Sequence, residues 1–143
     1  MQPSQSSRPR AQVMSIWTLE QARRAIPYIH TLLSGLREHR LDGLSNRLRS
    51  HHFRQSGNPR CEQQIESARA AAHQAEERFQ EDFEELQALS VYPLNALQGV
   101  ALLPFIREQH LAWLIFDLFD DDPLRCWRYH DDPPQAVRML ADG

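Results

Sequence analysis

The 143-residue sequence predicts an α+β fold: a long antiparallel helical hairpin with a kinked first helix, packed with a small three-stranded antiparallel meander. Three observations lead there. Two apolar stripes at spacings of three and four flank a polar break at residues 51–58. After residue 90 the texture changes to short apolar runs punctuated by Tyr92-Pro93, Asn95 and Gly99. The chain is one domain in length, so both parts share a core.

Residues 1–14 (MQPSQSSRPRAQVM) are rich in Ser, Gln and Pro. Such a stretch buries too little apolar area to offset the entropy of ordering, and it is read as a disordered arm. Residues 15–143 form the single domain, divided into a hairpin over 18–89, a meander over 99–130 and an irregular tail over 131–143. Thr18 opens the first helix, with Gln21 three residues on to complete a capping box. Leu19, Ala22, Ile26, Ile29, Leu33 and Leu36 then fall on one face, and Leu41, Leu44 and Leu48 extend it. Pro27 lacks an N–H and crowds the preceding turn, which predicts a kink near residues 24–27 or two abutting helices. Asn58-Pro59 is a second helix start. That helix, over about 59–89, carries Ile65, Ala68, Ala72, Ala75, Phe79, Phe83, Leu86 and Leu89 on its stripe.

The strands are expected at Val100–Phe105, Leu111–Phe119 and Arg125–His130. In the second, Leu111, Trp113, Ile115, Asp117 and Phe119 share one face and Ala112, Leu114, Phe116 and Leu118 the other, which is wholly apolar; one of the two faces should meet the helices. A short helical turn is expected at Gln135–Leu140.

Composition narrows the function classes. The longest apolar run, Leu111–Phe119, is too short to span a bilayer, and no secretory leader is visible in residues 1–14. Cys61 and Cys126 are too few for a disulfide framework, so a cytoplasmic setting is expected. Net charge is −3, but residues 1–60 hold ten arginines against three acids, and residues 61–143 six arginines against sixteen acids.

Two stretches carry a family likeness. One is Ile16-Trp-Thr-Leu-Glu-Gln-Ala22 followed by Ile26-Pro27. The other is Gly99-Val-Ala-Leu-Leu-Pro104, the strand around Leu114–Leu118, and Trp127-Arg-Tyr-His130-Asp131. Together they resemble a bacterial family catalogued as domain of unknown function 2203. The resemblance implies a helical hairpin followed by strands, and no substrate, reaction or cofactor. Leu102 stands where that family has an Asp, Phe116 and Tyr129 where it has Trp. A site built on the family's Asp would be lost here.

Candidate chemistry is sparse. Neither a nucleophile elbow nor a Walker or Rossmann glycine pattern is present, so no cofactor is expected. Cys126 and His130 lie four apart on a strand, roughly 13 Å, too far to share a metal, and no metal site is predicted. Asp120, Asp121 and Asp122 before Pro123 read as turn chemistry. Two clusters remain. Around the third strand, Arg128, His130 and Asp131, with Trp127 or Tyr129 as an aromatic wall, form a candidate ligand site, since strand alternation sets an imidazole beside a cation on one face. At the hairpin tip, residues 43–61 include Arg47, Arg49, His52, Phe53 and Arg54 with no acid between Asp42 and Glu62, a pattern suited to phosphate and a stacked base. The acids of the second helix are expected near Arg23 and Arg24, leaving the tip uncompensated. The first expectation for function is an interaction module with a protein partner or a second copy as a homodimer. A small-molecule or enzymatic site at the third strand is the alternative, and nucleic-acid binding at the tip the third reading.

Overall fold

The computed structural model describes residues 13–140. The arm predicted over 1–14 therefore lies almost wholly outside the described residues. Two helices, α1 (Leu19–Gln55) and α2 (Glu62–Ala88), form an antiparallel hairpin. A five-stranded antiparallel sheet follows, with strands in sequence order: β1 (Tyr92–Asn95), β2 (Val100–Arg107), β3 (His110–Asp117), β4 (Cys126–Tyr129) and β5 (Arg138–Met139). The predicted three central strands are present, and two more flank them.

The capping box at Thr18 and Gln21 forms as expected, each side chain bonded to the other's backbone N–H. α1 then runs through Pro27 without interruption, which excludes two abutting helices. The stripe on either side of Pro27 is buried, and that burial outweighs one lost hydrogen bond. The predicted loop at 51–58 is also corrected: residues 51–55 are helical, and only 56–58 turn. Asn58 accepts a hydrogen bond from the Arg60 N–H and starts a 3₁₀ turn (Pro59–Cys61) that leads into α2. Past the end of α2, Ser90 has a φ of 61°, in the left-handed region. Val91 N–H bonds to Leu86 O and Ser90 N–H to Gln87 O, closing the helix as a Schellman motif.

The core lies where the hairpin meets one face of the sheet. Ala22, Ile29, Leu33, Leu36 and Leu86 are buried in one cluster with Ala101, Leu103, Ala112, Leu114 and Phe116. Of the two faces of β3, that of Ala112, Leu114 and Phe116 turns inward, and Leu118 just past its end is buried too. Each fully buried large side chain contributes about 1.5–3 kcal/mol. Residues before α1 tie the sheet to the helices. Trp17 bridges to Phe105 in parallel, Trp17 Nε1 donates to Ser90 O, and Ser15 N–H donates to Ser90 Oγ.

Three further expectations are revised. Residues 135–140 form no helical turn; Arg138–Met139 pairs with Cys126–Trp127. Leu41, Leu44 and Leu48 do not continue the buried stripe of α1, where Gly43 and Ser50 take the seam instead. Among the described residues the acids of α2 make no ion pair with Arg23 or Arg24; Arg24 pairs with Glu20 of its own helix. Tyr28 bonds to Glu85, His39 lies 3.3 Å from Asp82, and Arg47 pairs with Glu76. Because α1 reaches Gln55, the hairpin register spreads these acids along α1 from Tyr28 to Arg47.

Candidate functional site

At the outer end of the sheet, a tight turn at Glu108 and Gln109, both at positive φ, joins β2 to β3. It places Arg107 and His110 opposite each other. Beside them β4 brings in Tyr129. Strand alternation then divides the predicted ligand residues. Trp127 and Tyr129 share the inward face with Phe105, Arg107 and His110, whereas Arg128 pairs with Trp113 on the outward face. Trp127 is buried, with the guanidiniums of Arg107 and Arg138 at 4.6 and 5.4 Å from its ring.

A cleft of about 470 Å³ opens at this end, and Glu108, His110, Tyr129, His130, Asp131 and Asp132 line it. Three of the five predicted residues therefore meet there; Trp127 and Arg128 are not in its wall. His130 Nδ1 accepts a hydrogen bond from Trp113 Nε1 at 3.1 Å, which leaves Nε2 to carry the proton of a neutral ring. Asp131 is exposed and makes no hydrogen bond to His130 among the described residues. Its neighbour Asp132, outside the predicted ligand set, is the engaged acid. It accepts from Tyr129 N–H at 2.9 Å and from Arg138 at 2.9 and 3.1 Å. The Arg138 hydrogen bond, then that of Tyr129, holds its carboxyl below the usual range. Burial, then the hydrogen bond to Glu108, pushes the Tyr129 phenol up. Such a set can orient a polar ligand. It offers no activated nucleophile.

The hairpin tip divides in the same way. Residues 47, 50, 51 and 54 share one face of α1. With Arg69, Ala72, His73 and Glu76 of α2, they line a groove of about 340 Å³ between the helices. Arg47 and Arg54 enter this groove; Arg49, His52 and Phe53 do not. Arg69 and His73 are the residues sequence reasoning missed. Their signal is a register: Arg54 stands to Arg69 as Arg47 stands to Glu76, one heptad nearer the turn.

A third surface is apolar. Leu41, Leu44 and Leu48 are 40, 37 and 70% exposed. One turn before them Arg37 donates to Leu97 O at 2.9 Å and lies 5.0 Å over the Phe119 ring. Leu97 and Phe119, both exposed, therefore border the same face. A groove of about 480 Å³ adjoins it, lined by Arg40, Phe79, Phe83, Leu94 and Leu97 among others.

Among the described residues, no group of three or more His, Cys, Asp or Glu converges to hold a metal. No described helix is long and apolar enough to cross a membrane. Comparisons with protein-family models, curated proteins and solved structures find no match.

Proposed function

We propose that this protein is an interaction module that works through the outer face of α1, and that its partner there is a second copy. One observation carries the reading: three leucines at i, i+3 and i+7 are exposed, while the hairpin seam beside them is filled by Gly43 and Ser50. An amphipathic helix normally turns its leucines inward. Here the small residues face the partner helix and the large ones face out, which suits a four-helix bundle of two hairpins.

Charge favours a second copy. α1 carries seven arginines against three acids, and α2 two arginines against eight acids. Two hairpins related by a two-fold axis can set each α1 against the other copy's α2, so the long-range fields attract. A stable pair needs roughly 800 Å² from each partner. Three leucines supply a fraction of that, so the surface extends into the groove at Leu94 and Leu97. The likeness to domain of unknown function 2203 is compatible with this reading and adds no activity to it.

Light scattering on the full chain tests it. The expected mass at micromolar concentration is twice 16.7 kDa. Leu44→Glu with Leu48→Glu should return the single-chain mass while keeping the helical circular dichroism signal. A wild-type protein that stays at 16.7 kDa across that range would refute the dimer.

A further inference from the structure

Along α1, Ile26, Leu33, Arg40, Arg47 and Arg54 recur every seven residues, beside the seam column Ala22, Ile29, Leu36, Gly43 and Ser50. In an antiparallel hairpin a step of seven up α1 matches a step of seven down α2. Each arginine thus meets a definite position. Arg40 and Phe83 line one groove together, with the Arg40 guanidinium 3.9 Å over the neighbouring Phe79 ring. Arg47 pairs with Glu76. The next step sets Arg54 toward Arg69, and both line the tip groove.

Like charges facing each other across a seam oppose hairpin formation. No carboxylate lies within 4 Å of either guanidinium among the described residues. Glu62 and Glu66 line a second groove on the other side of Arg54 and Arg69, beyond ion-pair distance. Glu76, within the first groove, is taken by Arg47. His51 stands in the same wall and adds a ring N–H donor, His73 beside it faces Glu77 at 3.3 Å through Nε2, and Ser50 and Ala72 form a floor with little bulk.

We infer that this groove binds a phosphorylated ligand, whose oxygens bridge Arg54 and Arg69. Guanidinium forks match phosphate oxygens geometrically, and a doubly charged group replaces the missing acid of the heptad. The phosphate can belong to a free polyphosphate or to a polynucleotide backbone.

The test uses inorganic pyrophosphate and a labelled single-stranded oligonucleotide at low salt, on the full chain and on Arg54→Gln with Arg69→Gln. Wild type should bind, and the double variant should bind at least about tenfold more weakly, the loss of one charge-assisted contact or more. Arg49→Gln, off the groove, should bind as wild type. Pyrophosphate binding at least as tight as the oligonucleotide assigns a free phosphate ligand; tighter, steeply salt-dependent oligonucleotide binding assigns a polynucleotide. The ligand-free double variant should melt no lower than wild type, because a repulsion has been removed. Failure of both probes to bind wild type would overturn the inference. So would undiminished binding by the double variant, or a clear fall in its ligand-free melting temperature, which would mean that acids already hold the two arginines.

Discussion

At the scale of the residue, burial and backbone conformation rank the positions. Leu33 is fully buried in the cluster of sheet and hairpin, while Phe79 is half-buried at its margin under Arg40. Leu33→Ala should cost about 2–5 kcal/mol in a urea melt, and Phe79→Ala should cost less. Gly99 and Gly57 both have positive φ, at 69° and 66°. A Cβ on Gly99 would meet Leu118 Cβ at 2.6 Å, whereas a Cβ on Gly57 meets nothing within 4 Å. Gly57→Ala therefore carries only the backbone term of about 1 kcal/mol, and Gly99→Ala adds an overpacking cost of about 1–3 kcal/mol. Equal melting temperatures for the two variants would show that the sheet yields at Leu118. Asp132 makes a pH prediction. Its folded carboxyl titrates below its ordinary value near 3.8, so it favours the fold above that pH. The contribution disappears as pH falls through the lowered folded value. Stability measured from about pH 6 down to pH 2 should drop less in Asp132→Asn than in wild type.

At the scale of the element, what the sequence revealed and what it hid have separate physical causes. Thr18 with Gln21, and Asn58 with Pro59, announce helix starts because caps are local hydrogen bonds, and both form. The alternation of β3 was legible, with Ala112, Leu114, Phe116 and Leu118 on one wholly apolar face; which face turns inward was not, because Leu111, Trp113 and Ile115 opposite are apolar too. β1 and β5 were not legible. Tyr92–Asn95 contains a Pro and an Asn, and Arg138–Met139 is two residues long; tertiary pairing with β2 and β4 makes them strands. The helical reading of 135–140 failed for the same reason. Arg138 is drawn to Asp132, which caps Tyr129, and the chain is held beside β4. The β2–β3 turn has Glu108 and Gln109 at positive φ in place of the usual Asn-Gly, so turn chemistry gave no signal. In α1 the three leucines outweighed Gly43 and Ser50 as a reading of the stripe. Two interleaved heptad columns fit this segment, and sequence alone prefers the more apolar one. The candidate sites were half legible. Arg47 and Arg54, or His130 and Asp131, are visible as clusters along the chain. Arg69 and His73 belong to another helix and enter only with the register.

At the scale of the whole molecule, stability is distributed unevenly along the hairpin, and this bears on the proposed dimer. α1 is about 55 Å long, and the sheet covers only its first half. Every large buried side chain of the hairpin lies at that end, the last on α1 being Leu36 and the first on α2 Leu86. Beyond them the buried positions are Gly43, Ser50, Ala68, Ala72 and Ala75. These permit close helix approach but bury little area, so the distal arm should open without unfolding the sheet. Helix pairs held this weakly are marginal in water. A second hairpin on Leu41, Leu44 and Leu48 would supply the missing burial. Hydrogen exchange followed by mass spectrometry reads this directly. In dilute protein, amides of residues 43–54 and 62–72 should exchange well before those of residues 29–36 and of β2 and β3. Raising the protein to about ten times the dimer dissociation constant should leave about one fifth of the chains monomeric, slow the distal amides about fivefold by mass action, and leave the sheet unchanged. Leu44→Glu with Leu48→Glu should keep the fast distal exchange at every concentration. Distal amides as protected as the core in the dilute wild type would show that the small-residue seam is sufficient by itself, and the exposed leucines would then have no stabilising task for a second copy to perform.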